Sequence, residues 1–336
     1  MSTAYAYPVL VSPPSSLPDQ MALFDAGVDV SRLRRAREVL LKATKAANTE
    51  SAYRSAWKLF SRWCLEAGRL ALPAAPETVS LYVMALLEER YRLQTIRVKL
   101  SGIAAQHVAA GLQSPIDDVV RLLLSNASRV LQERPQKKAA ITVEQLRRVS
   151  SLLSDSDALD ARDRAIFNLG FALGWRRAEL SVLDLCDLAF RVDRGVVFTL
   201  GASKTDQKGK GRVVSIPFGS HPEICPIRAL EAWLSVRGRW RGPLFCRFDG
   251  RRRLMRARLS GHAICSVTQR LLRRIGEDSR LYGAHSLRAG MATAGGENSA
   301  SDLAIMQRAG WKSMQTVLGY VRPAQGFRVD PLAGVL

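Results

Sequence analysis

Val196-Val-Phe-Thr-Leu200 and Arg212-Val-Val-Ser-Ile216 flank the segment Gly201-Ala-Ser-Lys-Thr-Asp-Gln-Lys-Gly-Lys-Gly211. The flanks are β-branched and aromatic, and the centre is rich in turn formers. The pattern predicts a β-hairpin whose tip carries Lys204, Lys208 and Lys210. Elsewhere the periodicity is helical, so the expected fold is mainly α with a small β-hairpin or sheet.

Upstream, Thr142-Val-Glu-Gln145 is a capping-box pattern. A helix from about Ala161 brings Ile166, Leu169, Ala172 and Leu173 to one face. Downstream, Ser299-Ala-Ser-Asp302 caps a helix that Gly310 ends, and Ser313 starts another that Pro323 stops. The chain divides near Glu133-Arg-Pro-Gln-Lys-Lys138, a polar stretch with a helix-breaking proline.

Residues 1–30 carry Pro8, Pro13, Pro14 and Pro18 and read as a flexible arm. Residues 31–134 read as a helical bundle. Ser31 caps a helix to about Ala46. Thr49 caps a second, with Tyr53, Ala56, Trp57, Phe60, Trp63 and Cys64 on one stripe and Gly68 as the stop; the tryptophans are expected in the core. Thr78 opens a third, carrying Leu81, Tyr82, Ala85 and Leu86. A fourth runs from about Gln94 to Ala110, with Ile96, Leu100, Ile103, Ala104 and Val108 inward and Arg92, Arg97 and Lys99 on the polar side. A fifth covers about Pro115 to Leu131. Residues 135–336 form the second domain.

The 336 residues hold 50 Lys+Arg against 30 Asp+Glu, a net charge of +20. The charge favours a polyanionic partner, most simply nucleic acid, over a protein that is merely basic. Residues 1–134 carry 17 basic and 12 acidic residues, a net +5, so +15 lies in residues 135–336. Arg237, Arg239, Arg241, Arg247, Arg251, Arg252, Arg253, Arg256 and Arg258 fall in one short stretch opposed only by Asp249. Arginine is the better bidentate partner for phosphate. Hydrophobic residues make up 47%, enough for real cores and against disorder throughout. No window approaches the ~18 consecutive apolar residues of a membrane span. The first 31 residues lack Lys and Arg, so no secretory signal is expected. Five scattered cysteines without C-x-x-C support neither a zinc site nor a disulfide framework, and a soluble protein of a reducing compartment is expected.

Familiar catalytic strings are absent: no G-x-S-x-G, H-E-x-x-H, P-loop or G-x-G-x-x-G. With only four histidines, attention turns to arginine, lysine and tyrosine. Arg176 and Glu179 lie i,i+3 in Leu173-Gly-Trp-Arg-Arg-Ala-Glu-Leu180, and His285 and Arg288 repeat that spacing in Ala284-His-Ser-Leu-Arg288. Trp311 and Tyr320 lie nine residues apart across a helix start. Taken singly, each has an innocent reading: a surface ion pair, a structural histidine, a packed tyrosine, a solvated lysine.

In this order, Arg176, Lys204, His285-x-x-Arg288, Trp311 and Tyr320 resemble the signature of the tyrosine recombinases, the phage integrase family. The strings Gly-Ala-Ser-Lys204-Thr, His285-Ser-Leu-Arg288-Ala-Gly and Ala309-Gly-Trp311 with Leu-Gly-Tyr320-Val-Arg are similar to those of Cre-type members. Trp311 departs from the commoner histidine and narrows the subgroup. The likeness covers the second half. The first half resembles the family's helical core-binding, SAM-like domain, followed by an α+β catalytic domain.

The resemblance implies transesterification of a DNA phosphodiester, with Tyr320 forming a 3′-phosphotyrosyl link. Arg176 and Arg288 would stabilise the transition state, His285 would donate or accept a proton, and Lys204 would protonate the leaving 5′-oxygen. Trp311 would hold a phosphate oxygen, and Glu179 would orient the cluster. Neither a metal nor another cofactor is implied. The partners implied are double-stranded DNA with specific recombination sites, clamped between the two domains, and a homotetramer working through a Holliday junction. No membrane is implied. Phe327, Leu332, Val335 and Leu336 are candidates for contact with a neighbour. DNA contacts are expected from Arg92, Arg97, Lys99, Lys208, Lys210, Arg212, Arg251, Arg252, Arg253, Arg256 and Arg258. The expected location is the bacterial cytoplasm with its DNA, nuclear only if expressed in a eukaryote. Two alternatives remain open: a type IB topoisomerase-like enzyme, and a catalytically silent DNA-binding protein of the same fold.

Overall fold

The structure, a computed structural model, describes residues 30–43, 47–132, 138–154, 156–201 and 211–325. The chain separates into two compact units, Met1–Pro135 and Gln136–Leu336. The arm over residues 1–29, the hairpin tip with Lys204, Lys208 and Lys210, and the tail with Phe327, Leu332, Val335 and Leu336 lie outside the described residues.

The first unit is helical: α1 (Val30–Ala43), α2 (Ala47–Glu66), α3 (Pro76–Glu88), α4 (Leu93–Ala109) and α5 (Asp118–Leu131). Thr49 lies inside α2 rather than capping it. Helix α3 starts two residues before Thr78, with Pro76 in its first turn, where the missing N–H is an orphan anyway. Phe60, Tyr82, Leu86, Ile96 and Ile103 meet in one buried core. Gly102 lets α2 and α4 touch, because a Cβ there would stand 2.9 Å from the Ala56 Cβ. The tryptophans pack on this core, Trp57 at 5.8 Å from Phe60 and Trp63 at 5.2 Å from Tyr82 between ring centroids. His107 closes the bundle. Its Nε2 accepts from the Ala74 N–H at 2.9 Å while its Nδ1 faces the Ile103 carbonyl at 2.9 Å.

Two expectations for α4 are corrected. Lys99 is buried at 7% exposure, its ammonium 4.7 Å from the centre of the Tyr91 ring. It lies three residues after Ile96 and four before Ile103, on the core face, and burial lowers its pKa. Conversely, Val108 is exposed, because the helical period carries His107 inward instead.

The second unit runs α6 (Val143–Ser151), α7 (Ala158–Leu173), α8 (Arg177–Val182), β1 (Leu188–Arg191), β2 (Gly195–Leu200), β3 (Arg212–Pro217), α9 (Pro226–Arg237), β4 (Cys246–Phe248), β5 (Leu254–Arg258), α10 (Gly261–Arg274), α11 (Ala284–Glu297), α12 (Asp302–Ala309) and α13 (Met314–Gln325). The capping box forms as expected: the Thr142 hydroxyl accepts from the Gln145 N–H, and the Gln145 side chain accepts from the Thr142 N–H, both at 3.1 Å. Helix α7 begins before Ala161 because the Asp157 carboxylate takes the Leu159 and Asp160 N–H groups at 2.9 and 3.0 Å. Pro323 lies within α13 rather than ending it.

Strands β1, β2 and β3 form an antiparallel sheet in that order, with Val196 opposite Ile216 and Leu200 opposite Arg212. Strand β1 and the separate β4–β5 hairpin were not expected. The latter lies inside the arginine-rich stretch, where three and five residues carry little pattern of their own. Phe167, Phe198, Trp233, Phe245 and Leu287 fill the main core. Full burial of such a side chain is worth roughly 1.5–3 kcal/mol. A smaller cluster joins α11, α12 and α13 through Ala292, Ile305, Ala309, Val317 and Val321, with Trp311 and Tyr320 packed on it. Among the described residues, no helix is long and apolar enough to cross a membrane.

Candidate active site

Helix α7 ends at Gly174 in the left-handed region, and the chain turns through buried Trp175 to Arg176, the residue that opens α8. Three residues on, Glu179 reaches back. One carboxylate oxygen accepts the Arg176 N–H at 2.9 Å and the other accepts its guanidinium at 2.7 Å. Arg212, the first residue of β3, donates to the same carboxylate at 3.2 Å. Burial alone would raise the Glu179 pKa, but the Arg176 hydrogen bonds and the Arg212 cation outweigh it and hold the group below the ordinary carboxylate range.

Helix α11 carries His285 and Arg288 about one turn apart. Arg288 is 1% exposed, and its Nη1 donates to the Gly174 carbonyl at 2.7 Å and the Ala309 carbonyl at 2.6 Å. Its Nη2 is buried without a hydrogen-bond partner. Burial first, and the Arg176 cation second, lower the Arg288 pKa to about 10, which leaves it charged at neutral pH. The Ala309 carbonyl sits at the end of α12, where the helix dipole is negative. It accepts a second guanidinium, Arg212 Nη1, at 2.8 Å. Gly310 follows with φ +65°, and a Cβ there would lie 1.4 Å from that Arg212 nitrogen.

Helix α13 brings Tyr320 to the cluster. Its hydroxyl lies 2.8 Å from His285 Nε2. Its ring stacks on Trp311 at 5.4 Å and 7° between planes, and the Arg288 guanidinium lies 4.5 Å from the centre of the indole. Burial raises the Tyr320 pKa against the opposing pull of Arg288. Burial, then the Arg288 and Arg176 cations, lower that of His285. At neutral pH the pair is therefore a phenol beside a neutral imidazole. That arrangement suits a proton acceptor next to a latent nucleophile, set among fixed cations.

Arg176, Glu179, His285, Arg288, Trp311 and Tyr320 thus come together. Arg212, expected on DNA, is instead half-buried within this cluster, 4.7 Å over the Trp175 ring. Its place depends on three separated segments, so no local pattern reveals it. The only local hint is an arginine directly behind a turn segment.

The arginine-rich stretch also divides. Arg237 is buried at 2% exposure and donates to the carbonyls of Gly238, Trp240, Gly242 and Pro243 at 2.7–3.1 Å. It organises its own loop, whose inward carbonyls need donors. Arg258 is half-buried and ties β5 to the Ser181 and Leu183 carbonyls and to Asp184, the last at 2.6 Å. Arg252 pairs with Asp157 at 2.7 Å and Arg253 with Asp249 at 2.9 Å, both exposed. Arg251 and Arg256 are exposed, the latter 5.1 Å from the Trp240 ring. Arg92 and Arg97 are exposed on the first unit. Arg97 lines a recess with Arg121 and Arg129.

A cavity of about 700 Å³ opens elsewhere in the second unit, lined by Leu146, Phe171, Cys225, Met291, Ile305 and Arg308 among others.

Residues 140–326 match the phage integrase family. The chain is 32% identical over 296 residues to an integrase/recombinase xerD homolog of Selenomonas ruminantium, covering 87% of this chain and 86% of that protein. It is 27% identical over 289 residues to recombinase cre of Escherichia phage P1, covering 80% and 82%. Among solved structures it is similar in fold to the Tn1549 transposon integrase in complex with transposon right end DNA. There the TM-score is 0.59 at 15% identity, over 88% of this chain and 97% of that one. A lambda integrase dimer bound to a COC′ core site matches with a TM-score of 0.56 at 17% identity, over 90% and 98%.

Proposed function

Because the chain belongs to the phage integrase family and is a site-specific tyrosine recombinase, we propose that Tyr320 is its nucleophile and that the cluster around it performs DNA strand exchange. The observation that carries this is the 2.8 Å contact between the Tyr320 hydroxyl and His285 beside buried Arg288.

The chemistry follows from charge. A phosphodiester carries one negative charge, and its pentacoordinate transition state carries about two. Rigid cations stabilise the later state more than the earlier one. Arg176 and Arg288 take the non-bridging oxygens, and the unpartnered Nη2 of Arg288 supplies a donor for one of them. Tyr320 forms a bond to phosphorus and gives its proton to Nε2 of neutral His285. The bond from phosphorus to the 5′-oxygen breaks, and Lys204 protonates that oxygen. Trp311 holds the phenol ring in place and offers its indole N–H to a phosphate oxygen. The 3′-phosphotyrosyl link conserves the energy of the broken ester. A second 5′-hydroxyl reverses the step, with no demand for ATP or a metal.

Exchange between two duplexes needs four such protomers working in pairs through a Holliday junction. The apolar parts of the 700 Å³ cavity suit the C-terminal residues Phe327, Leu332, Val335 and Leu336 of a neighbouring protomer. Exposed Arg92, Arg97, Arg251, Arg252, Arg253 and Arg256 hold the duplex. The reaction takes place in the cytoplasm, with the DNA, a reading that a bacterial relative supports.

The deciding experiment traps the covalent complex on DNA flanking the gene and sequences the attached ends. A tyrosyl link at Tyr320 with one reproducible cleavage position supports the reading. Adducts on another residue, or none, refute it.

A further inference from the structure

Two supports hold the catalytic arginines. Arg176 leans on one oxygen of Glu179 at 2.7 Å, and Arg288 leans on the Ala309 carbonyl at 2.6 Å. Arg212 touches both supports, donating Nη2 to the other Glu179 oxygen at 3.2 Å and Nη1 to the Ala309 carbonyl at 2.8 Å. We propose that Arg212 is a positioning residue for strand cleavage, which locks these two supports together so that Arg176 and Arg288 converge on one phosphate. The inference rests on the reading of Tyr320 as nucleophile.

Three features fit this role better than a DNA contact. The side chain is about one-fifth exposed and its Nε is buried without a partner. A charge placed there suffers a desolvation penalty that a surface phosphate contact would avoid. The guanidinium lies 4.7 Å over the Trp175 ring, and Gly310 leaves the space its Nη1 occupies. The planar fork also matters, because it meets two acceptors on different elements at once. A lysine ammonium is a single point donor and cannot do so in the same way. Arg212 is also the first residue of β3, paired with Leu200 of β2. The two strands flank the segment carrying Lys204. The same side chain thus references the strand that follows the proposed acid to the arginines it must work with.

The test compares strand cleavage on two DNA substrates, one with a native scissile phosphodiester and one with a methylphosphonate in its place. The methylphosphonate has no charge to neutralise, so the aim of the cations matters less. Arg212→Ala is expected to slow cleavage of the native substrate about 100-fold, the size of losing one aimed donor. On the methylphosphonate the loss should shrink to within about fivefold of wild type, on the same charge argument. DNA affinity should stay within about threefold, since both η nitrogens of Arg212 are already bonded to protein acceptors and no phosphate contact is lost. Arg212→Lys should give the same pattern in weaker form and decides the matter if the alanine variant does not fold. Equal losses on both substrates would mean a merely structural role. A weakened affinity with a shallower salt slope would mean a direct DNA contact. Either overturns the proposal. If wild type forms adducts and both variants cleave normally, the inference about Arg212 fails while Tyr320 stands. If wild type forms no adduct at Tyr320, the underlying reading fails first.

Discussion

The Tyr320 hydroxyl is held 2.8 Å from His285 Nε2 while the ring of the same residue lies flat on Trp311. The tip is fixed by a hydrogen bond and the face by packing. Tyr320→Phe removes the oxygen and keeps the stack. It should abolish covalent protein–DNA adducts and leave DNA affinity nearly unchanged. Denaturing gels of enzyme with nicked substrate report the first, and mobility shifts the second. Wild-type adducts should persist in EDTA, and their loss there would count against the metal-free route.

The pH dependence has a definite sign. His285 is displaced below the ordinary imidazole value, so it is neutral at pH 7 and charges only as pH falls further. The charged ring cannot accept the phenol proton. Single-turnover cleavage should therefore rise with pH through an apparent pKa below about 6.5 and be level by neutrality. Tyr320 is displaced upward and adds no limb in that range. His285→Gln should lose the limb and about 10²–10⁴ in rate. A midpoint above 7 would contradict this assignment of the base.

Glu179 is a buried anion between Arg176 and Arg212. Glu179→Gln leaves two cations with a neutral partner and should destabilise the fold by about 2 kcal/mol, below the 3–5 of a fully buried broken pair because Arg176 is partly exposed. The folded-state pKa is depressed, so this contribution is present above the ordinary Glu value. It is lost as pH falls through the folded value. Denaturant titrations of both proteins should converge on acidification. A gap that widens instead would reverse the sign.

Trp311 packs Tyr320 and faces Arg288. Trp311→Phe keeps the stack but loses the indole N–H, so it should form more adduct than Trp311→Ala and less than wild type. Trp311→Ala should lose both adduct yield and on the order of 2 kcal/mol of stability. Thermal melts beside adduct yields separate the two effects. Equal behaviour of Phe and Ala would deny the stack a role.

Exposed and buried arginines should respond differently to salt. Arg251→Ala should lower the slope of log affinity against log salt by about 1, as for the loss of one phosphate contact. Arg237→Ala should disturb the 238–243 loop and lower stability, with no such proportionate change in slope. Binding isotherms over a salt series distinguish them.

Local patterns carried the fold a long way. The Thr142–Gln145 box and the pairing of 196–200 with 212–216 depend on neighbours in sequence, and both form. Strand β1 and the β4–β5 hairpin escaped because so few residues have no period to read. Lys99 misled because residue type was weighed above position: its spacing from Ile96 and Ile103 is that of a core residue. The site was legible as an ordered set of residue types, which the structure gathers, apart from Lys204 outside the described residues. The settings of Arg212 and Arg237 were not legible for a physical reason. Their partners are carbonyls and a carboxylate, and which of these a guanidinium meets is decided by tertiary folding. Charge alone does not tell a cation that faces a duplex from one that holds its own chain.

Gly310 has a consequence in genetic terms. Any other residue there must adopt a left-handed conformation and also displace Arg212 Nη1, which lies 1.4 Å from where its Cβ would be. A screen for recombination-defective alleles should therefore recover Gly310→Ala among inactive proteins that still bind their site, although glycine has no functional group to lose. Trimming the side chain at 212 should relieve the clash in such an allele and recover part of its stability. It should not restore strand exchange, so the two positions should yield no true intragenic suppressors of one another.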